Sequence, residues 1–295
     1  MNKPGILVTG AGGQLGSELQ QLAPSYPQYE FVFLSGKELP IDHTEQVRKA
    51  FSSYHPRYCI NCAAYTAVDK AESEKEQAFM VNSEAVGVLA SVCKEYDSRF
   101  IHISTDYVFD GKAVVPYKEN DPVNPQSVYG ASKLEGERQA IFADPDTVII
   151  RTSWVYSAYG KNFVKTMMKL MGERNEVKVV SDQQGSPTYA ADLAEALLTI
   201  IGKDQSPSGE WHPGIYHFSN EGAITWYELA VAIREMTNAG CVVNAIPTSQ
   251  YPTPAQRPAY SVLDKKKIQQ VFGIQLKEWR QSLSGCIQKI KNSPK

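Results

Sequence analysis

Cysteine is the first shortage. The chain carries five cysteines in 295 residues, an odd and widely spread set that excludes a disulfide framework. Cys59 and Cys62 share the C-x-x-C spacing of redox and metal motifs. They fall in the apolar run 58–64, which reads as a buried strand. Alternation along a strand turns the two thiols to opposite faces, so small buried residues are the better reading. Long hydrophobic runs are missing too: nothing approaches the roughly 20 apolar residues of a membrane span. Nor is there an excess of one charge. Lys and Arg number 30 against 32 Asp and Glu, net −2, so no affinity for nucleic acid or an anionic membrane is expected. The first residues, Met1-Asn2-Lys3-Pro4-Gly5-Ile6-Leu7-Val8, have no signal-peptide layout, and the expectation is a cytoplasmic protein. No internal repeat or low-complexity segment occurs. What remains is ordinary: 42% apolar and 21% charged residues, enough chain for one large or two moderate domains.

Glycine, by contrast, is concentrated. Residues 5–16 read Gly-Ile-Leu-Val-Thr-Gly-Ala-Gly-Gly-Gln-Leu-Gly: a short strand over 6–9, a glycine turn, then a helix over 17–22. Gly10, Gly13 and Gly16 give the spacing G-x-x-G-x-x-G, with an extra Gly12. Such a turn brings bare backbone to a pyrophosphate and aims a helix N-terminus at it, the layout of a dinucleotide site. A second strand over 30–34 ends in Ser35-Gly36-Lys37, where an NAD-preferring protein carries Asp or Glu. A hydroxyl and a lysine tolerate a 2′-phosphate. NADPH is therefore expected as cofactor with NADH possible, Glu38 nearby being the counterweight. Asp42, beside His43, either caps the helix over 44–54 or reaches the adenine. The strand over 58–64 runs out into Ala64-Tyr65-Thr66, with small residues suited to a ribose lying against backbone. A helix over 73–95 and a strand over 100–104 follow, and His102 reads as a core histidine of that strand. Thr105 and Asp106 leave the strand's C-terminal end, where open parallel sheets bind ligands.

After a proline-marked loop over 111–128 comes Tyr129-Gly130-Ala131-Ser132-Lys133, at the head of a helix. Residues four apart share a helix face, so phenol and ammonium can enter one pocket. A neighbouring ammonium would lower the tyrosine pKa from about 10 and make Tyr129 a proton donor or acceptor near neutral pH. The strand over 147–151 leads to Trp154, which reads equally as core or as a flat wall against substrate. The strand–helix alternation predicts an α/β fold with a doubly wound parallel sheet of Rossmann type over residues 1–160. A smaller substrate-binding domain is expected over 161–295, with possible returning segments between 177 and 220. Its Pro- and Thr-rich loop over 247–258 holds Arg257, read as a diphosphate contact or a surface salt bridge.

Together, Gly10-x-x-Gly13-x-x-Gly16, Thr105 and Tyr129-x-x-x-Lys133 resemble the extended short-chain dehydrogenase/reductases. The runs Ser-Thr-Asp-Tyr-Val-Phe-Asp-Gly at 104–111, Arg-Thr-Ser-Trp-Val-Tyr at 151–156, Asp-Gln-Gln-Gly-Ser-Pro-Thr at 182–188 and Tyr-Pro-Thr-Pro-Ala-Gln-Arg-Pro at 251–258 are similar to those of its branch acting on dTDP-linked keto-sugars. The likeness runs from residue 5 to about residue 285. It implies an NADPH or NADH cofactor and a dTDP-sugar substrate. The implied reaction reduces the 4-keto group of dTDP-4-dehydro-6-deoxy-L-mannose to dTDP-L-rhamnose, a step of cell-surface polysaccharide biosynthesis. By position, the resemblance makes Tyr129 the catalytic acid, Lys133 its partner and cofactor-ribose anchor, and Thr105 the third member. Asp106 and Trp154 match sugar contacts. Gly13, Gln14, Leu15, Asp42, His43, Ala64, Tyr65 and Thr66 match cofactor contacts. Some relatives hold Mg²⁺ between subunits through three carboxylates. Here Glu18 matches the first, Ala191 stands one short of Asp192 at the second, and Lys289 falls near the third. A lysine repels a hard cation, so no metal is expected, and the chain is expected as a monomer or homodimer without a metal bridge. Two other readings stay open: another nucleotide-sugar reductase or epimerase, and a non-catalytic regulatory subunit of the methionine adenosyltransferase type. The second has no need of an intact Tyr129, Lys133 and Thr105.

Overall fold

Six short apolar runs pair in parallel into one sheet: β1 (Gly5–Thr9), β2 (Glu30–Leu34), β3 (Tyr58–Asn61), β4 (Arg99–Thr105), β5 (Val148–Thr152) and β6 (Gly214–Phe218). Their order across the sheet is β2-β1-β3-β4-β5-β6. The computed structural model describes residues 3–206 and 209–292; residues 207–208 and the outermost positions of the two expected domains, 1–2 and 293–295, lie outside them. β6 comes from the second half of the chain, so the sequence does return to the large sheet.

A parallel sheet is covered on both faces, which is why its strands read as continuous apolar runs. Ile6, Val8, Ile60 and Ile150 pack with Leu19 of α1 (Gln14–Leu22) and with Leu193 and Leu197 of α5 (Ala190–Asp204). Leu7, Cys59 and Phe100 point the other way, onto Val47 and Phe51 of α2 (Thr44–Tyr54) and Val86 and Leu89 of α3 (Ala85–Glu95). Each fully buried aliphatic or Phe contributes about 1.5–3 kcal/mol. α4 (Val128–Ala143) packs beside α3 and carries Tyr129 and Lys133.

The strand order reverses between β1 and β3, because β1 runs on to β2 on one side while β3 lies on the other. Brändén's rule puts ligands at such a switch point, outside the strands' carboxyl ends. All six strands are parallel, so Gly10, Ser35, Cys62 and Asp106 leave the sheet on the same edge.

Two elements differ from the sequence reading. The expected helix over 73–95 is interrupted: Lys75–Phe79 is followed by a π turn, Met80–Glu84, before α3 resumes. A single inserted residue leaves the apolar periodicity on both sides intact, so the pattern does not reveal it. The strand expected over 58–64 stops at Asn61, and Cys62 lies beyond it. A second core, absent from the sequence reading as such, forms from Phe163–Glu173, Trp226–Thr237 and α6 (Trp279–Asn292). It is backed by a parallel pair, Glu176–Val180 with Val242–Ile246.

The halves are tied at Glu18. This side chain is 1% exposed, accepts from Ser157 Oγ at 2.6 Å and from Lys289 Nζ at 2.6 Å. Asp192 is committed elsewhere, to Asn220, Ser282 and Lys277. Among the described residues no three His, Cys, Asp or Glu side chains converge to hold a metal. The donors around Glu18 therefore do not fit Mg²⁺: an ammonium takes the carboxylate. Lys289→Met should lower stability by about 1–3 kcal/mol, the scale of stranding a buried charged acceptor, read as a fall in Tm. Millimolar Mg²⁺ should leave the wild-type Tm where it is. A Tm rise with Mg²⁺ that Glu18→Gln abolishes would overturn this reading.

Candidate active site

The glycine turn does what its spacing predicts. Gly10 has φ +64, and a Cβ there would stand 2.5 Å from Ala63 N, so only glycine lets β1 lie this close to the segment after β3. Gly16 serves packing: a Cβ would meet Ala11 Cα at 2.6 Å. Gly13 is the N-cap residue of α1, and no side chain caps that end. The first-turn N–H groups are thus left for an anion on the cavity side.

That turn opens into a cavity of about 870 Å³. Twelve of the residues singled out from the sequence line it: Gly10, Gly13, Gln14, Leu15, Asp42, Ala64, Thr66, Thr105, Asp106, Tyr129, Lys133 and Trp154. Gly16, Ser35, Lys37, His43, Tyr65 and Arg257 do not. Ser35 is engaged elsewhere, its N–H and hydroxyl both donating to Glu38 Oε2, at 2.8 and 2.7 Å. These bonds hold the Glu38 carboxyl below its ordinary pKa. Gly36 lines the cavity in place of Ser35 and Lys37. Asp42 does not cap α2; His43 is the N-cap residue and no side chain caps that end. Tyr65 is turned to Glu74, and its backbone N–H and C=O are both held by the Asn82 amide, at 2.8 and 3.0 Å. Asn82 belongs to the π turn, which explains why the wide turn is there. Arg257 donates to Asp69 at 2.7 Å and borders a neighbouring cavity of about 120 Å³ that shares Tyr107 with the large one.

Thr105 ends β4 and caps the following turn, accepting from Tyr107 N–H at 3.2 Å and donating to Asp106 Oδ1 at 3.0 Å. Asp106 is 3% exposed, and its Oδ2 makes no hydrogen bond within 3.5 Å among the described residues. Burial lifts its pKa to about 6, against the hydroxyl of Thr105 and other donors. Tyr129 and Lys133 sit on the first turns of α4, which Ser127 caps by accepting from Gly130 N–H at 3.1 Å. The Tyr107 ring lies edge-on to the Tyr129 ring, 5.6 Å between centroids.

One expectation fails here, and another proves incomplete. The ammonium was to lower the Tyr129 pKa. Instead burial raises it to about 12, the Thr105 hydroxyl pulling back and Asp106 pushing further. The Lys133 head is bonded to Ile103 O at 2.6 Å and lies 3.1 Å from His102 Nε2. Burial also lowers Lys133, to about 8, with Glu137 opposing. And His102 is fully buried, as a core residue is, yet its ring is bonded at both nitrogens, to Lys133 and to Asn61.

Trp154, read equally as core or wall, is half-buried against the second core at the cavity's edge. It has φ +48, rare for a bulky residue. Its ring stacks on Trp226 at 3.6 Å and closes against Gly185 while bordering the cavity. Sequence reasoning missed Trp226, Asn61 and Asn82. Asn61 alone carried a signal: a polar residue closing an otherwise apolar strand at a ligand-binding edge.

The arrangement holds a helix N-terminus without a side-chain cap, a half-buried phenol and a buried lysine around one cleft. Comparisons with known proteins agree with it. The family described as RmlD substrate binding domain matches residues 3–292. The chain is similar to the dTDP-4-dehydrorhamnose reductase of Aggregatibacter actinomycetemcomitans, 45% identical over 94% of this chain and 96% of that one. It is also similar to the spore coat polysaccharide biosynthesis protein SpsK of Bacillus subtilis (strain 168), 43% identical over 96% of each chain. Among solved structures, the dTDP-4-dehydrorhamnose reductase of Bacillus anthracis str. Ames, in complex with NADP, superposes with a TM-score of 0.92 at 36% identity, covering 98% of this chain and 100% of that one. Matched from end to end by sequence and by fold, the chain belongs to the dTDP-4-dehydrorhamnose reductase family.

Proposed function

We propose that this enzyme reduces the 4-keto group of dTDP-4-dehydro-6-deoxy-L-mannose to give dTDP-L-rhamnose, with NADPH as cofactor and NADH accepted. The observation that carries it is the meeting of Thr105, Tyr129 and Lys133 in the cleft that begins at the glycine turn. When bound, the reduced nicotinamide supplies the hydride. The chain supplies position, field and a proton. Charge gathers on the carbonyl oxygen as the bond order falls. Thr105 and Tyr129 hydrogen-bond that oxygen, and Tyr129 gives it the proton. A phenol lifted to about 12 by burial stays protonated through the neutral range and releases its proton only to a developing alkoxide. Lys133 then steadies the phenolate. Asp106 Oδ2, buried and with no hydrogen bond among the described residues, accepts from a sugar hydroxyl. The Trp154 face takes the methyl side of the deoxysugar. Arg257 stands beside the smaller cavity to receive the diphosphate once Asp69 releases it.

On this reading residues 1–160 hold the cofactor and 161–295 close over the sugar, with β6 as the segment that returns. No residue given a role here comes from a second copy of the chain, so a monomer or a homodimer serves equally. No helix among the described residues is long and apolar enough to cross a membrane, and the cytoplasm, where nucleotide sugars and NADPH are at hand, is the assigned compartment.

Tyr129→Phe removes only the phenolic oxygen and its proton. It should cost on the order of 10²-fold or more in kcat, read at 340 nm with the dTDP keto-sugar, and leave NADPH affinity in place. A near wild-type kcat would sink the assignment. For the cofactor, the exposed Glu38 stands against a 2′-phosphate and Lys37 favours it, so NADPH should lead NADH by about tenfold or less in kcat/KM. Glu38→Gln should widen that lead roughly threefold, the scale of one exposed charge contact. Lys37→Ala should narrow it. If neither variant moves the ratio, the end of β2 does not read the ribose.

A further inference from the structure

Three hydrogen bonds in a row run from the first strand of the sheet to the catalytic lysine, and together they fix where protons sit. Thr9 Oγ1 donates to Asn61 Oδ1 at 2.6 Å, and the backbone N–H of Ala63 donates to the same oxygen at 3.1 Å. A backbone N–H is only a donor, so this bond settles which end of the amide is oxygen. Asn61 Nδ2 then faces His102 Nδ1 at 3.0 Å. The NH₂ group is again only a donor, so Nδ1 accepts and carries no proton. The single proton of the neutral ring is on Nε2. Nε2 lies 3.1 Å from Lys133 Nζ. An N–H set against an ammonium is donor against donor. The contact is a hydrogen bond when Lys133 presents a lone pair, leaving its own N–H for Ile103 O at 2.6 Å.

We propose that His102 is a positioning residue that donates its Nε2–H to the uncharged form of Lys133, and so sets the pH at which that lysine gives up its proton in the cofactor-free enzyme. The inference rests on the proton-handling role given to Lys133 above. All four side chains are buried: Thr9, Asn61 and His102 at 0% exposure and Lys133 at 2%. Burial pushes His102 well below its ordinary pKa, and a charge on Lys133 would push it further, so an imidazolium is excluded. Of the other groups facing Lys133, Glu137 alone favours its charge. On its own helix, Tyr129 is a neutral phenol. Glu137, one turn on, gives both oxygens to Arg151 of β5, at 2.9 and 2.7 Å. Asp106 and Cys62 border the same cavity, Asp106 turned to Thr105 and the Cys62 thiol pushed up by burial.

Lys133 must be charged to steady a phenolate, so the chain through His102 governs the alkaline limit of the reaction. Asn61→Asp is the discriminating change. A carboxylate at 61 still accepts from Thr9 and Ala63, but it also accepts from His102. The ring proton then moves to Nδ1, and Nε2 becomes an acceptor for a charged Lys133.

The first test needs no substrate and so separates this inference from the assigned reaction. In protein labelled with ¹⁵N-histidine, the ring nitrogens of His102, identified by their loss in His102→Gln, should report the Nε2–H tautomer from pH 6 to pH 9. The Nδ1–H tautomer or an imidazolium in that range overturns the proposal. The second test is the pH profile of kcat/KM. In Asn61→Asp the alkaline limb should move up by about one pH unit, a tenfold shift in the protonation equilibrium of Lys133, while the acid side stays in place. A folded Asn61→Asp enzyme whose alkaline limb stays put or moves down overturns it as well. A merely structural His102 would alter Tm and leave both the tautomer and the limb unaffected. If Asn61→Asp does not fold, the wild-type tautomer decides.

Discussion

The constraint on which the site depends is the burial of one amine. An aliphatic ammonium taken out of water without partners costs several kcal/mol, and the protein answers with fixed partners and a lowered proton affinity. Lys133 finds a carbonyl from β4, at Ile103, and a ring nitrogen from β4, at His102. His102 in turn leans on β3 through Asn61, and Asn61 on β1 through Thr9. Three adjacent strands and α4 are thereby held in register at their ligand-binding edge by polar bonds, in a sheet otherwise glued by apolar contact. A half-satisfied network of this kind would be worse than an apolar core, so each member is needed for the others.

The helix side is built to keep the same register. The π turn at Met80–Glu84 carries Asn82, which donates to Ser132 Oγ at 3.0 Å as well as holding Tyr65. Ser132 lies between Tyr129 and Lys133, so α4 cannot rotate without breaking that bond. One turn on, Glu137 is neutralised by Arg151 instead of by Lys133, its neighbour four residues earlier. A buried ion pair contributes little net stability. Its effect here is directional: with Glu137 taken by Arg151, the Lys133 head turns to His102 and Ile103.

Much of this was legible in the sequence, for physical reasons. Strands buried on both faces have to be apolar throughout, so Ile6-Leu7-Val8 and Val148-Ile149-Ile150 announce a parallel sheet. A turn against phosphate has to be bare, so Gly10 and Gly13 stand out. What stayed hidden was orientation. Spacing puts Tyr129 and Lys133 on one face of a helix, but it does not say that the lysine head bends down to β4 or that burial outweighs its charge at the phenol. It names Ser35 and Lys37 as phosphate readers, but not that Glu38, three residues from Ser35, folds back to take its hydroxyl. His102 illustrates the general case. In a one-dimensional pattern a histidine inside an apolar strand is core, and only the third dimension shows that both of its nitrogens are in use.

The two halves of the molecule meet at the helix that begins with the glycine turn, and this has a consequence for closure. Gln14, its first residue, donates to Val155 O at 3.4 Å and accepts from Asn162 at 2.9 Å. Asn162 caps the helix Phe163–Glu173 of the second core. One turn further, Glu18 takes Ser157 and Lys289. The helix that opens onto the cavity at the glycine turn is thus the one to which the second half of the chain is fastened, by side chains on two successive turns. The tie at Glu18 is made with a tethered ammonium, which is always present and needs no concentration to bind. Within the chain, the two halves are therefore joined at the cleft by side chains of α1.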